Sequence, residues 1–311
     1  MITVLCGGVG GSRFMRALTS VVESQRLTAI INTADDDEFH GLYVSPDPDI
    51  VTYALAGEVD EERGWGLRGD TFRWLDSLRR FDRETWFQIG DRDLATHLHR
   101  TRLLREGASL TEVTADIARA FGLRARLLPM SDDRVRTIVE TDAGDLSFQE
   151  YLVKRHAQDV VRGVRFDGAD AARPAPGVLD AIRAAEAIFI APSNPIGSIA
   201  PILAVPGVRE SLRHASVPRV AISPLIGGRS LQPPAAEMMT GLGVAVDVTG
   251  VAALYAGLID TLVIDETDRA RAVDVEALGV RAVIAQTIMR DEASRRALAE
   301  AALHAAGVII A

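Results

Sequence analysis

Residues 2–24 read ITVLCGGVGGSRFMRALTSVVES, and their order decides the fold. A short apolar run, Ile2 to Cys6, breaks at Gly7, Gly8, Val9, Gly10 and Gly11. It then passes into a segment whose Phe14, Leu18, Val21 and Val22 recur at helical spacing, with Ser12 placed near its start as a cap. Strand, glycine turn and helix open a nucleotide-binding α/β fold, in which bare backbone N–H groups and a helix N-terminus face a phosphate. The spacing is neither G-x-G-x-x-G nor a Walker motif with its lysine, so the turn indicates phosphate without choosing NAD or ATP. A tight turn that serves structure alone is the other reading of the same glycines.

A second apolar run, Leu27 to Ile31, delivers the most acidic part of the chain, residues 32–66, NTADDDEFHGLYVSPDPDIVTYALAGEVDEERGWG. Ten carboxylates lie between Asn32 and Glu62 with no Lys or Arg among them. Such a run repels itself unless it is spread into water or gathered round a cation. A solvated loop is the plain reading. Against it, Asp35, Asp36 and Asp37 follow directly on a strand's carboxyl end, and Asp47 and Asp49 sit beside Pro46 and Pro48, which should stiffen an extended course. Asp35, Asp36 and Asp49 are thus candidates for metal binding and chemistry, while Glu58 to Glu62 are expected to remain solvated surface. On this reading Asp49→Asn should weaken metal dependence and leave the fold intact.

Residues 67–170 change character. Helical patterns come first, among them GDRDLATHLHRTRLLREG, where Asp93, His97 and Arg100 share one face. A strand, Leu127 to Met130, precedes Ser131, Asp132 and Asp133, either a ligand site or an Asx-type turn. A hairpin turned at Asp142 to Asp145 follows. The α/β rhythm then returns with AIFIAPSNP, RVAISPLIGG, TLVIDE, AVIAQT and a final GVIIA. Short apolar strands alternating with helices imply a parallel sheet covered on both faces. The expected architecture is therefore a Rossmann-like α/β core from residues 1–66 and 171–311, with 67–170 as a mixed helical and hairpin insertion helping to close the substrate site. Ligands in such sheets lie beyond the carboxyl ends of the strands. That rule gathers the glycine turn, the first aspartates, Ser193, Asn194 and the turn from Ser223 to Gly228 on one rim.

The whole chain, 311 residues with a net charge of −9, has ordinary globular composition, and its acidity argues against a nucleic-acid partner. One cysteine, Cys6, excludes an internal disulfide and a cysteine-cluster metal site. No signal-like start and no apolar run of about 20 residues is present, which predicts a cytoplasmic protein without a membrane partner.

With these segments in place, the chain resembles the 2-phospho-L-lactate transferase family of coenzyme F420 biosynthesis. GGVGGSRF, NTADD, SPDPDIVTY, ERGWG, GDRDLATHLHRT, LPMSDD, APSNPIGSI and SPLIGG carry the resemblance, in order and over almost the full length. It implies a Mg²⁺-dependent transfer from a guanosine diphosphate ester of lactate, or of its enolpyruvyl or glyceryl relative, to the ribityl hydroxyl of the deazaflavin Fo. GMP leaves, and a phosphodiester joins the acid to the deazaflavin. By similarity the aspartates of NTADD and PDPD hold metal and the glycine turn (Gly8, Gly10, Gly11, Ser12) holds phosphates, with Asp47, Ser131 and Asp132 beside the substrates. Asn194, Ser193, Ser223 and Gly227 offer hydrogen bonds to donor phosphate or guanine, Arg92 and His97 suit the anionic acid, and Trp65 and Trp86 could stack on the deazaflavin. Asp37, a third aspartate, departs from the local pattern. The resemblance also implies a homodimer. The competing readings are a non-catalytic nucleotide-sugar-binding regulator, which would not need the clustered carboxylates, and a Rossmann dehydrogenase, which would need the standard glycine fingerprint.

Overall fold

The computed structural model describes residues 1–309. Seven parallel strands form its central sheet, in the spatial order Arg281–Ala285, Thr261–Asp265, Arg219–Ile222, Ala187–Ile190, Ile2–Cys6, Leu27–Ile31, Arg126–Pro129. The chain starts in the middle, builds outward to one edge, returns to the middle and builds outward to the other. The reversal falls between Ile2–Cys6 and Ala187–Ile190, the switch point beside which open α/β sheets bind ligands.

Both faces of the sheet are covered, which is why its strands read as continuous apolar runs. Ile2, Val4, Cys6, Leu27, Ala29 and Ile31 pack on one face against Phe14, Met15 and Leu18 of the helix Gly8–Thr19 and Leu298, Ala299, Ala302 and Leu303 of the helix Glu292–Ala305. Leu5, Ile30, Ile188 and Ile190 belong to the opposite core with Val178, Ile182, Leu203, Leu212 and Val251. The last helix starts cleanly because Asp291 and Ser294 form a reciprocal capping box. Among the described residues, no helix is long and apolar enough to cross a membrane.

Three details depart from the sequence reading. The strand Arg126–Pro129 is an edge of the main sheet, paired with Leu27–Ile31, so the sheet extends into the 67–170 segment. The rest of that segment holds helices and a three-stranded antiparallel sheet, Gly144–Ser147, Arg136–Thr141 and Val161–Asp167, with its hairpin turn where expected. The proline-aspartate run is not extended: Pro46–Leu55 is a helix, with Pro46 in its first turn, where a missing N–H costs nothing. Of the expected final strand, residues 307–309 are turn and irregular chain, and Ile310 and Ala311 lie outside the described residues.

Candidate active site

The carboxyl ends of the strands open into a cavity of about 740 Å³ at the switch point. Its floor is the glycine turn, and the packing there shows why glycine is needed. A Cβ on Gly10 would fall 2.0 Å from the Pro192 carbonyl oxygen, and one on Gly7 would fall 2.2 Å from Asp47 Oδ2. Bare backbone therefore lets the two halves of the sheet touch. Ser193 fastens them: its Oγ accepts from Gly7 N at 3.1 Å and donates to Gly7 O at 2.7 Å. Gly11 is buried against Ser193, and Ser12 turns its hydroxyl to the Val9 carbonyl, so these two build the turn and do not line the cavity.

The acidic stretch is not a solvated loop. Asp35, Asp36, Asp47 and Asp49 are all at most 6% exposed. Asp47, in the first turn of the helix Pro46–Leu55, accepts from Gly8 N at 2.8 Å and from Asn32 Nδ2 at 3.0 Å, placing a carboxylate at the N-terminus of the helix Gly8–Thr19. Burial pushes it up to about 6, while the Asn32 and Gly8 bonds pull the other way. Burial, with Asp47 beside it, pushes Asp35 well above the usual carboxylate range. Asp36 is raised to about 7 by burial, against the Ser45 hydroxyl bonded to it and the nearby charges of Arg136 and Arg100. Asp35 Oδ1 and Asp36 Oδ1 are buried without a hydrogen-bond partner. Two orphaned carboxylate oxygens in a like-charged group are what a hard cation satisfies.

Asp49 has a different environment. Arg100, itself 2% exposed, grips both of its oxygens, Nη1 to Oδ2 at 3.1 Å and Nη2 to Oδ1. The same guanidinium donates to His97 Nδ1 at 3.1 Å. His97 Nε2 lies 3.3 Å from Asp93 Oδ1, which also accepts from Tyr53 OH at 2.5 Å. Burial tends to raise Asp93, but His97, Tyr53 and Arg100 outweigh it and hold it below its ordinary value. The shared helical face of Asp93, His97 and Arg100 is thus a buried ionic network, with Asp93 and His97 on the cavity wall and Arg100 behind it. Among the described residues, no group of three or more His, Cys, Asp or Glu side chains forms a ready-made metal shell. Mg²⁺ does not need one, since it is commonly held by one or two carboxylates and completed by water and substrate phosphates.

The cavity brings together Gly8, Gly10, Asp35, Asp47, Asp49, His97, Ser193, Asn194 and Ser223 from the expected set. Asp36 lies fully buried outside its lining. Four others lie outside the lining and bond elsewhere. Arg92 is exposed and pairs with Glu58. Ser131 donates to the Arg173 carbonyl, Asp132 accepts from Thr111 N in the first turn of the helix Leu110–Ala120, whose cap is Ser109, and Gly227 N donates to Asp268. Nor are Glu58 to Glu62 uniformly solvated: Asp60 binds Arg63, and Glu61 is gripped by Arg16 and Arg295. Trp65 and Trp86 both line the cavity, each with a cation over its ring, Arg63 at 5.2 Å and Lys154 at 5.5 Å. Arg13, Gln149, His156 and the 287–289 segment also line it, and no sequence motif singled them out.

The family model described as 2-phospho-L-lactate transferase CofD matches residues 2–298. A 2-phospho-L-lactate transferase of Methanosarcina mazei is 39% identical over 302 residues, covering 97% of this chain and 99% of its own. A phosphoenolpyruvate transferase of Streptomyces griseus is 42% identical over 311 residues, covering 98% of each. The crystal structure of a UPF0052-family protein from Bacillus halodurans superposes with a TM-score of 0.67 at 19% identity, covering 97% of this chain and 98% of that one, and shows the same fold. With a phosphate-type turn, buried carboxylates and relatives matched end to end, the chain belongs to the 2-phospho-L-lactate transferase CofD family.

Proposed function

We propose that the cavity transfers an acid-bearing phosphate, phospholactate or its phosphoenolpyruvyl counterpart, from a guanosine diphosphate ester to the ribityl hydroxyl of Fo, releasing GMP. The observation that carries the reading is the unpartnered Asp35 Oδ1 in the same cavity as Asp47 and the glycine turn. Relatives bearing either the phospholactate or the phosphoenolpyruvate name match with similar identity, so both donors belong in the reading.

Asp35 and Asp47 would hold Mg²⁺, which supplies charge neutralisation on the donor diphosphate. The backbone of the glycine turn beyond Gly7 and Gly8, whose own N–H groups are held by Ser193 and Asp47, and the Ser193 and Asn194 segment bind and align the phosphates, since this chemistry depends more on in-line placement than on covalent help. An unligated carboxylate of the same cluster would take the hydroxyl proton. Asp49, sealed by Arg100, fixes the helix Pro46–Leu55 and hence Asp47. Trp65, 38% exposed, offers its free face to the deazaflavin. Following the family resemblance, the enzyme works as a homodimer, which sedimentation at two concentrations would test.

The experiment is incubation with Fo and the lactyl or enolpyruvyl diphosphoguanosine, with Mg²⁺ or with EDTA, followed by chromatography for GMP and a charged deazaflavin. Absence of product from either donor with Mg²⁺ overturns the transferase reading. Equal product in EDTA overturns the metal assignment alone.

A further inference from the structure

A small arginine cluster adjoins the cavity across the helix Gly8–Thr19. Arg13, Arg16 and Arg295 line a small pocket with the loop 59–64, separate from the main cavity, while Arg13 and that loop's Arg63 line the main cavity itself. Two carboxylates face them, Asp60 and Glu61. Asp60 is taken by Arg63, through Nε at 3.0 Å and backbone N at 3.0 Å. Glu61 is taken by Arg295 Nη2 at 3.1 Å and by Arg16. Arg13 remains without an ion pair among the described residues, half-buried on the cavity wall.

Its place on the helix Gly8–Thr19 gives that unpaired guanidinium a direction. Arg13 follows Val9 by four residues, so the two share a face, and both line the cavity. Helical side chains lean toward the N-terminus, which carries the guanidinium back beside the first turn, whose Val9 and Gly10 line the same cavity.

We propose that Arg13 receives the phosphate of the departing guanosine nucleotide. The proposal rests on the transferase reading above. In the transfer, a bond forms between the ribityl oxygen and the phosphorus bearing the acid. The bond from that phosphorus to the bridging oxygen breaks, and the bridging oxygen leaves with its electron pair as part of GMP. The hydroxyl proton passes to a cavity carboxylate and on to water. Negative charge therefore grows on the GMP phosphate, and a guanidinium can meet two of its oxygens at once. Mg²⁺ at the aspartates and Arg13 on the helix would then grip the diphosphate from separate elements.

The test is calorimetric titration of the full chain with GMP and with guanosine in EDTA, for wild type, Arg13→Gln and Arg13→Lys. A charge-assisted hydrogen bond is worth about 1.5–3 kcal/mol, so Arg13→Gln should weaken GMP by roughly 10- to 100-fold. Guanosine binding should not change, and Arg13→Lys should fall between. In turnover, Arg13→Gln should lower kcat with the KM for Fo unchanged. The proposal is overturned if Arg13→Gln binds GMP like wild type, or loses guanosine in the same proportion, which would make the role structural. A wild type that binds no GMP would remove the nucleotide reading and this proposal together.

Discussion

Neutralising Asp49 should unfold the protein before it disarms it. In Asp49→Asn the Arg100 guanidinium, 2% exposed, loses its only bidentate carboxylate and keeps His97 Nδ1 as a neutral partner. Breaking a buried pair from one side costs about 3–5 kcal/mol, because the remaining charge stays out of water. Total stability is of the order of 5–15 kcal/mol, so this loss is large. At roughly 2–3 °C per kcal/mol for a chain of this size, melting should fall by about 6–15 °C. The double variant Asp49→Asn with Arg100→Met should recover much of that, since removing both charges leaves nothing unpaired. Thermal scans by circular dichroism in EDTA, on wild type, both single variants and the double, measure the coupling directly. Melting of Asp49→Asn within about 1 °C of wild type, or a double variant as weak as the two losses added, would refute the buried-pair account. The first of these would return Asp49 to the metal-ligand role its sequence position suggested.

Three further outcomes follow from the same geometry. Because Asp36 and Asp47 are raised to about 7 and about 6 from 3.8, the folded state holds their protons more tightly than the unfolded chain. Their contribution to stability is full below about pH 4 and is lost as pH rises through 6 to 7, so the melting increment from added Mg²⁺ should be larger at pH 8 than at pH 5; equal increments would count against a cation at this group. Gly10→Ala sets a Cβ 2.0 Å from the Pro192 carbonyl, so soluble protein that still binds GMP normally would contradict the packing of the two sheet halves. Asp132→Ala removes an acceptor for Thr111 N but leaves the Ser109–Glu112 capping box, so it should cost about 0.5–1.5 kcal/mol in a denaturant titration while turnover stays at the wild-type rate.

Much of the fold was legible in residues 2–31, because a strand, a glycine break and an amphipathic helix are all local signals. The rim was legible too, since one rule about strand ends places several turns together. What escaped was set by partners far away in sequence. Asp49 looks like Asp47 until Arg100 arrives from 51 residues later to seal it. Pro46 and Pro48 suggested an extended course, yet proline suits a helix's first turn equally well. Ser131 and Asp132 carry the same residue types in a turn as in a site, and only the Thr111 and Arg173 contacts decide between them. Arg13 carried no motif of its own; its significance lies in Asp60 and Glu61 being spent on other arginines.

The Ser193 clasp on Gly7 also sets a timetable for synthesis. The first strand, turn and helix leave the ribosome early, but Gly7 gains its Ser193 partner only when a hydroxyl 186 residues downstream emerges and docks. Contacts of such sequence separation form late, after most of the loop-closure entropy has been overcome. A nascent chain halted before Ser193 would therefore carry the nucleotide turn in outline without a competent phosphate cradle. Substrate capture is thus withheld until both halves of the sheet have joined.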